Sequence, residues 1–259
     1  MKVVILAGGF GTRISEESHL RPKPMVEIGG KPILWHIMKS YAYYGFTDFI
    51  ICLGYKGYII KEFFADYFLH MSDVTFNLKT GEMQTHNNTS EPWKVTLVDT
   101  GLNAGTGGRV KKISSYVGEE TFLLTYGDGV SDVNICDLVH FHQKHGKLAT
   151  ITSVQPGGRF GVLNIHSDNQ IYSFHEKSKE DGGWINAGFM VLEPEVFSYI
   201  REDKEALEGY PLGMLAKEGK LMAYRHTGFW QCMDTLREKN ILESLWERGQ
   251  APWKQWKSC

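Results

Sequence analysis

The chain has 259 residues, of which 42% are apolar and 22% charged, with a formal net charge of −2 at pH 7. That length builds one α/β domain with a substantial core, or two small ones, and the composition is ordinary for a globular enzyme. A charge so near balance excludes a general nucleic-acid or membrane-surface binder, which would carry a basic excess. A nucleotide site needs only a few local cations and is not excluded.

Residues 2–7 predict a strand, and the unbroken apolar run Val3-Val4-Ile5-Leu6 marks it as fully buried. Gly8, Gly9 and Gly11 follow at once. Glycines let the backbone turn sharply and bring N–H groups close to a ligand. Successive N–H groups aimed at one point make an anion site. Arg13 adds a cationic fork suited to phosphate oxygens. Lys23 adds a second cation, held between Pro22 and Pro24. Together these residues point to a nucleoside triphosphate. The loop is not a P-loop, because no Gly-x4-Gly-Lys-Ser/Thr string occurs. Nor is it the dinucleotide fingerprint, because Ile14 stands where the third glycine after Gly9-Phe10-Gly11 should be.

Residues 32–43 predict a helix, with Leu34, Ile37, Met38 and Tyr41 at helical spacing and His36 as a packing residue. A buried strand at 48–53 and a helix at 58–68 follow. Residues 71–99 read as an inserted hairpin or long loop, with strand-like runs at 74–78 and 95–98 around a polar stretch at 81–91. Residues 121–126 predict another buried strand. It ends at Gly127-Asp128-Gly129, the place where open α/β sheets bind ligands. His140, His142 and His145 fall on a surface helix ending at Gly146; positions i and i+2 diverge, which argues against a metal cluster. Shorter strands are expected at 151–154, 161–165, 170–176 and 186–192, then a helix at 236–246. Trp246, Trp253 and Trp256 are expected to pack the tail onto the body.

Alternating strands and helices predict an α/β fold: a Rossmann-like mixed, mostly parallel sheet flanked by helices, with an inserted hairpin and a helical C-terminus. One domain, 1–259, is expected, with a nucleotide half at 1–130, a sugar-phosphate half at 131–235 and a tail at 236–259. No linker is long enough to divide it. Cys52, Cys136, Cys232 and Cys259 form no C-x-x-C pair and read as reduced packing residues. With no signal-peptide pattern and no long apolar span, a cytoplasmic location is expected.

LAGGFGTR at 6–13 followed by RPKPM at 21–25 resembles the signature of the sugar-phosphate nucleotidylyltransferases. The likeness continues through GKPILWHIM at 30–38, GYKG at 54–57, TYGDG at 125–129, RFGV at 159–162, HEKSK at 175–179, INAGFMVL at 185–192 and FWQCMDT at 229–235. YFLHMSDVTF at 67–76, VTLVDTG at 95–101 and TGGR at 106–109 resemble the cytidylyl branch. The resemblance implies a GT-A-like nucleotidyltransferase fold and transfer of CMP from CTP to glucose 1-phosphate, with Mg²⁺ as cofactor. It also implies a homo-oligomer, a hexamer, with the 71–99 insertion near the subunit contacts, and a product feeding lipopolysaccharide or O-antigen synthesis. The same reaction with UTP or dTTP, and a non-catalytic nucleotide-sugar-binding protein, stand as alternatives.

The resemblance also implies site residues. Leu6, Ala7, Gly8, Gly9, Phe10, Gly11, Thr12, Arg13 and Lys23 surround the nucleotide, with Ala104 and Arg109 beside the base. Arg13, Lys23 and Asp128 carry the reaction. Asp128 and Asp234 hold the metal. On the sugar side stand Gly161, Glu176, Lys177, Asn186 and Gly188, with Asp128 and Asp234. Taken alone, Asp128 suits an Asp-Gly turn and Asp234 a helix N-cap; beside the glycine loop the metal reading is favoured for both. Serine at 178 departs from the family's proline and bears on how Lys177 is aimed. Alanine at 187 replaces a glycine and trims the pocket. Arg109 can only donate hydrogen bonds, and Gly107-Gly108 before it would let the backbone approach a cytosine ring.

Overall fold

The computed structural model describes residues 1–14, 17, 19–155, 162–175 and 183–256, with main chain alone for Arg13, Val162, Phe174 and His175. Its centre is a seven-stranded sheet: β1 (Val3–Leu6), β2 (Asp48–Leu53), β3 (Lys94–Asp99), β4 (Phe122–Tyr126), β5 (Ala149–Val154), β6 (Ile185–Leu192) and β7 (Leu221–Arg225). Across the sheet the order is β7-β5-β6-β4-β1-β2-β3. β6 runs antiparallel to β4 and β5; the other pairs are parallel. The sheet is covered on both faces. Val3 and Ile5 of β1 join one apolar cluster and Val4 and Leu6 the other; Phe49 and Ile51 of β2 likewise oppose Ile50 and Cys52. Burial on both faces is why these strands read as continuous apolar runs.

From β1 the chain steps outward to β2 and β3, and β4 then returns to the opposite side of β1. Strand order therefore reverses between β1 and β4, whose ends Leu6 and Tyr126 stand in register. Such a reversal leaves a crevice beyond the carboxyl ends of the strands.

Three sequence expectations change. Residues Lys94–Asp99, read as part of the insertion, are the edge strand of the central sheet, in register with Asp48–Leu53. Their apolar side chains divide between the two clusters, Val95 and Leu97 on one face and Val98 on the other. The projecting hairpin is shorter: Ser72–Asn77 pairs antiparallel with Glu82–Asn88, whose residues are all exposed. The helix Ile135–His145 is not wholly a surface helix. His142 is buried, with Nδ1 2.8 Å from Thr150 Oγ1 and Nε2 2.9 Å from Glu193 Oε1. His145 shares Thr150 at 2.7 Å, while His140 is exposed. Among the described residues no group of three or more His, Cys, Asp or Glu side chains is disposed to hold a metal ion.

Within the 131–235 stretch, the expected strands Val162–Ile165 and Ile171–His175 pair with each other as a separate two-stranded ribbon and do not join the central sheet. Among the described residues no helix is long and apolar enough to cross a membrane.

The tail closes on the helix Ile33–Tyr43, one residue shorter at its start than the spacing predicts. The helix Leu236–Glu247 and the segment after it bring Trp246, Trp253 and Trp256 around His36, with ring centroids 4.7, 6.2 and 6.3 Å away. His36 Nε2 donates to Ile28 O at 2.8 Å and Nδ1 accepts from Trp253 Nε1 at 3.4 Å, which assigns the neutral Nε2–H tautomer. Burial lowers its pKa to about 4 from 6.5.

Between pH 4 and 6.5 the unfolded chain protonates this ring and the folded chain does not, so acid favours unfolding. The contribution is full above pH 6.5 and is lost as pH falls toward 4; a shift of this size is worth about 3 kcal/mol. Tm measured from pH 7 down to pH 4.5 should fall more steeply for the unsubstituted protein than for His36→Gln. Parallel slopes would remove His36 from the acid sensitivity.

Candidate active site

The crevice at the ends of β1 and β4 is a cleft of about 660 Å³. Its walls are residues 6–12, Lys23 and Pro24, residues 102–106, Arg109, residues 125–129, Asn186, Ala187, Glu208, Trp230, Cys232 and Asp234. Of the residues the sequence singled out, Leu6 to Thr12, Lys23, Ala104, Arg109, Asp128, Asn186 and Asp234 meet here. The main chain of Arg13 lies in the short 3₁₀ turn Thr12–Ile14. Gly161, Glu176 and Lys177 lie outside the described residues, as do Ser178 and Lys179.

At one end of the cleft three chemical groups converge from distant parts of the chain. Lys23, in the 3₁₀ turn Lys23–Met25, is 8% exposed. Its Nζ is 2.5 Å from Asp128 Oδ2 and also donates to Asp234 Oδ1. Burial alone would lower its pKa, but the two carboxylates overcome this and raise it, so the ammonium is retained. The carboxylates are brought together by a second small ribbon. Gly129–Ser131 pairs with Trp230–Cys232, and Met233 N donates to Asp128 O at 2.8 Å. Gly127 sits close against its neighbours: a Cβ there would lie 3.0 Å from Leu6 O and from Pro24 Cγ, so a larger residue would have to displace them.

Asp234 is not the cap of the helix Leu236–Glu247. Thr235 is: its Oγ1 accepts from Glu238 N at 3.3 Å, and Glu238 Oε2 accepts from Thr235 N at 2.8 Å and from Asp234 N at 2.7 Å. This capping box satisfies the helix end without Asp234 and turns its carboxylate toward Lys23. Thr-x-x-Glu at 235–238 is a signature visible in the sequence, and it excludes Asp234 as the helix cap.

The arrangement fits a divalent cation held mainly by phosphate oxygens and water. Two carboxylates reach one point, with no third acidic or imidazole group clustered there among the described residues. Mg²⁺ sites in nucleotide enzymes have that donor set, whereas Zn²⁺ demands a fuller protein cage.

At the other end of the cleft Arg109 lines the wall and is bonded to the chain itself. Its guanidinium is buried and aimed at the chain's own oxygens. Nη1 donates to Leu53 O (3.0 Å), Thr100 Oγ1 (2.8 Å) and Gly101 O (2.8 Å); Nη2 donates to Gly8 O (3.0 Å) and Leu102 O (3.2 Å). It ties the ends of β1, β2 and β3 to the 101–102 loop, so those donors are not offered to a base. Burial lowers its pKa, and arginine keeps its proton regardless. Gly8 and Gly54 are small for the same reason. A Cβ on Gly8 would run into the guanidinium, and one on Gly54 would lie 2.5 Å from Gly8 O and 2.6 Å from Arg109 Nη1. Gly9 has open space where a Cβ would stand, as expected for a loop that a ligand approaches.

Gly107 and Gly108 do not face a ring either. Their Cβ positions are filled by the main chain at Asp203 to Ala206, against which the helix Thr106–Lys112 packs. Gly188, at φ 86°, packs against the Tyr126 ring and does not line the cleft. Asn186 does; its Oδ1 accepts from Gly188 N at 2.8 Å and its Nδ2 is 3.4 Å from Tyr126 Oη. Ala187 O accepts from Trp230 Nε1 at 2.8 Å.

Glu208 was not anticipated. It accepts from Thr106 Oγ1 at 2.5 Å and from Tyr126 Oη, so a chain of polar groups runs along the cleft from residue 106 to Asn186. Burial, then the Glu208 carboxylate, drives the Tyr126 pKa far up, so it stays a neutral donor. Nothing in the local pattern of residues 205–209 announces this, because the contact depends on tertiary placement.

A doubly covered sheet with its cleft at the β1/β4 switch, a glycine loop, and a lysine bridging two carboxylates define a nucleotide-handling transferase site. The chain belongs to the nucleotidyl transferase family, whose model matches residues 2–231. Over 257 residues it is 60% identical to the glucose-1-phosphate cytidylyltransferase of Salmonella typhimurium, covering 99% of this chain and 100% of that one. It is 48% identical to the probable glucose-1-phosphate cytidylyltransferase of Bacillus subtilis, over 99% of this chain and all of the relative. Among solved structures, HddC from Yersinia pseudotuberculosis matches with a TM-score of 0.74 at 26% identity, covering 95% of this chain and 99% of that one.

Truncating Arg109 should act on the whole wall. Arg109→Ala strips charged donors from several buried oxygens, a loss of roughly 2–4 kcal/mol. Thermal unfolding should show that loss, and kcat/KM should fall by a similar factor for every nucleotide the protein accepts. A fall confined to one nucleotide, with Tm unchanged, would restore Arg109 as a base-reading group.

Proposed function

We propose that this protein transfers CMP from CTP to glucose 1-phosphate in the cytoplasm, releasing pyrophosphate and forming CDP-glucose, with Mg²⁺ as its metal. The observation that carries the reading is the Lys23–Asp128–Asp234 cluster at the phosphate end of a cleft walled by the glycine loop. The two cytidylyltransferase relatives, matched over their whole length, support the choice of substrates.

The chemistry asks little covalent work of the protein. A phosphate oxygen of the sugar phosphate attacks the α-phosphorus of the nucleotide, and the bond from that phosphorus to the bridging oxygen of the leaving pyrophosphate breaks. The attacking oxygen is already ionised, so no general base is required. The obstacle is repulsion between two anions, and such transfers are catalysed by positioning and charge neutralisation. The main chain of Gly8, Gly9 and Gly11 borders the triphosphate, with Arg13 at the end of that loop. Lys23 presents its ammonium to the phosphates being exchanged. Asp128 and Asp234 would hold Mg²⁺, which when bound neutralises phosphate charge. Asn186 and the neutral Tyr126 supply polar contacts on the sugar side. Gly161, Glu176 and Lys177 complete that side in this reading, together with Gly188 behind Tyr126.

Base choice is assigned to the main chain of residues 101–106, including Ala104, because Arg109 holds that loop rather than presenting its terminal nitrogens. Cytosine offers a ring nitrogen as acceptor where uracil and thymine carry N–H. A donor placed for cytosine is left unpaired against them. The chain also acts as a homo-oligomer, a hexamer, in this reading. The hairpin that projects from the sheet exposes Phe76 and Met83, with Leu78 in its turn at 94% exposure.

Pyrophosphate release with CTP, UTP and dTTP tests the substrate assignment. CTP should be preferred by roughly ten- to hundred-fold in kcat/KM. Preference for UTP or dTTP would contradict it. Asp128→Asn and Asp234→Asn should each lower kcat by about a hundredfold or more while circular dichroism stays unchanged. Near-normal turnover in the folded double variant would remove the metal assignment.

A further inference from the structure

The Asp128–Asp234 pair has two candidate partners, an ammonium and a dication, and they exclude one another. The Lys23 ammonium lies within hydrogen-bond reach of Asp128 Oδ2 and Asp234 Oδ1, the same carboxylates assigned to the metal. It does so from a buried position: the Lys23 side chain is 10% exposed, against 13% for Asp234 and 31% for Asp128. Two carboxylates this close repel, and a buried charge without a partner is strongly unfavourable. One ammonium with three donors answers both problems without any ligand. An ammonium and a dication cannot both occupy the point where the two carboxylates converge. A triphosphate changes the balance, because it brings acceptor oxygens to the same wall of the cleft and gives the ammonium somewhere else to go.

We propose that Lys23 competes with the divalent cation for the Asp128–Asp234 pair, so that the cation enters with the nucleotide and not before it. Lys23 is then a gate on metal binding as well as a phosphate contact. The gate rests on the reading of Asp128 and Asp234 as metal ligands. It makes binding of metal and triphosphate mutually favourable, since whatever draws Lys23 off the carboxylates serves both. It also keeps the carboxylate pair folded and paired between turnovers.

Mn²⁺ is the probe, with bound ion read by water proton relaxation and no turnover involved. Nucleotide-free protein should bind Mn²⁺ weakly at this pair. Lys23→Met, which keeps an apolar stem and removes the charge, should bind it more tightly by roughly tenfold or more without nucleotide, since the competing charge is gone. Adding Asp128→Asn to Lys23→Met should abolish the gain. Lys23→Gln gives the same comparison if the methionine variant does not fold. Equal Mn²⁺ affinity with and without the lysine, in folded protein, would overturn the gate. The metal reading is tested separately: unsubstituted protein with CTP should show enhanced relaxation from Mn²⁺, and Asp128→Asn should lose it. Retention of that signal in Asp128→Asn would defeat the metal reading itself, whatever Lys23 does.

Discussion

A buried ammonium shared by two carboxylates sets the terms for the rest of this molecule. Asp128 and Asp234 lie 105 and 211 positions beyond Lys23 in the chain, yet one nitrogen touches both acids. Burying any one of them alone would be costly, so each of the three carrying elements has to arrive correctly. Lys23 comes on a 3₁₀ turn held between prolines, Asp128 on the glycine-flanked exit of β4, and Asp234 just ahead of a helix that Thr235 caps in its place. The reversal of strand order at β1 and β4 provides the crevice in which they meet.

Arg109 performs the matching task at the other end of the cleft. Five oxygens from the exits of β1 and β2, from Thr100 and from the 101–102 loop accept from its terminal nitrogens. Lysine could not replace it, because a single ammonium lacks the planar fork that spans these acceptors. The glycines at 8 and 54 are the other half of this contact. Some of the small residues near the nucleotide loop are therefore small to admit an arginine, and Gly9 alone of that adjacent pair leaves open space toward the cleft.

Much of this was readable in the sequence where the cause is local. Unbroken apolar runs mark β1, β2 and β4 because those strands are covered on both faces. The glycine loop, Lys23, Asp128 and Asp234 stand out because polar residues at strand exits and proline-held turns have few packing reasons to be there. Edge strand β3 was less legible: Thr96 interrupts its apolar run, its end residues Lys94 and Asp99 are exposed, and a polar hairpin precedes it. The burial of His142 depends on Glu193, 51 positions away, which no periodicity shows. The true work of Gly107 and Gly108 depends on the loop at 203–206, and that of Glu208 on Thr106 and Tyr126. Long-range pairs of this kind leave no spacing to read. The capping box at 235–238 was the exception, a local signal that bears directly on the chemistry of its neighbour.

Phosphorus NMR of a mixture of CTP, glucose 1-phosphate, Mg²⁺ and the protein tests the proposed reaction most directly, because it follows every phosphorus atom at once. The α-phosphorus of CTP and that of glucose 1-phosphate should disappear together into the paired signals of a nucleoside diphosphate sugar, with one pyrophosphate formed for each. Omitting either substrate should stop both changes. Release of inorganic phosphate, or loss of CTP signals without consumption of the sugar phosphate, would contradict nucleotidyl transfer at this site.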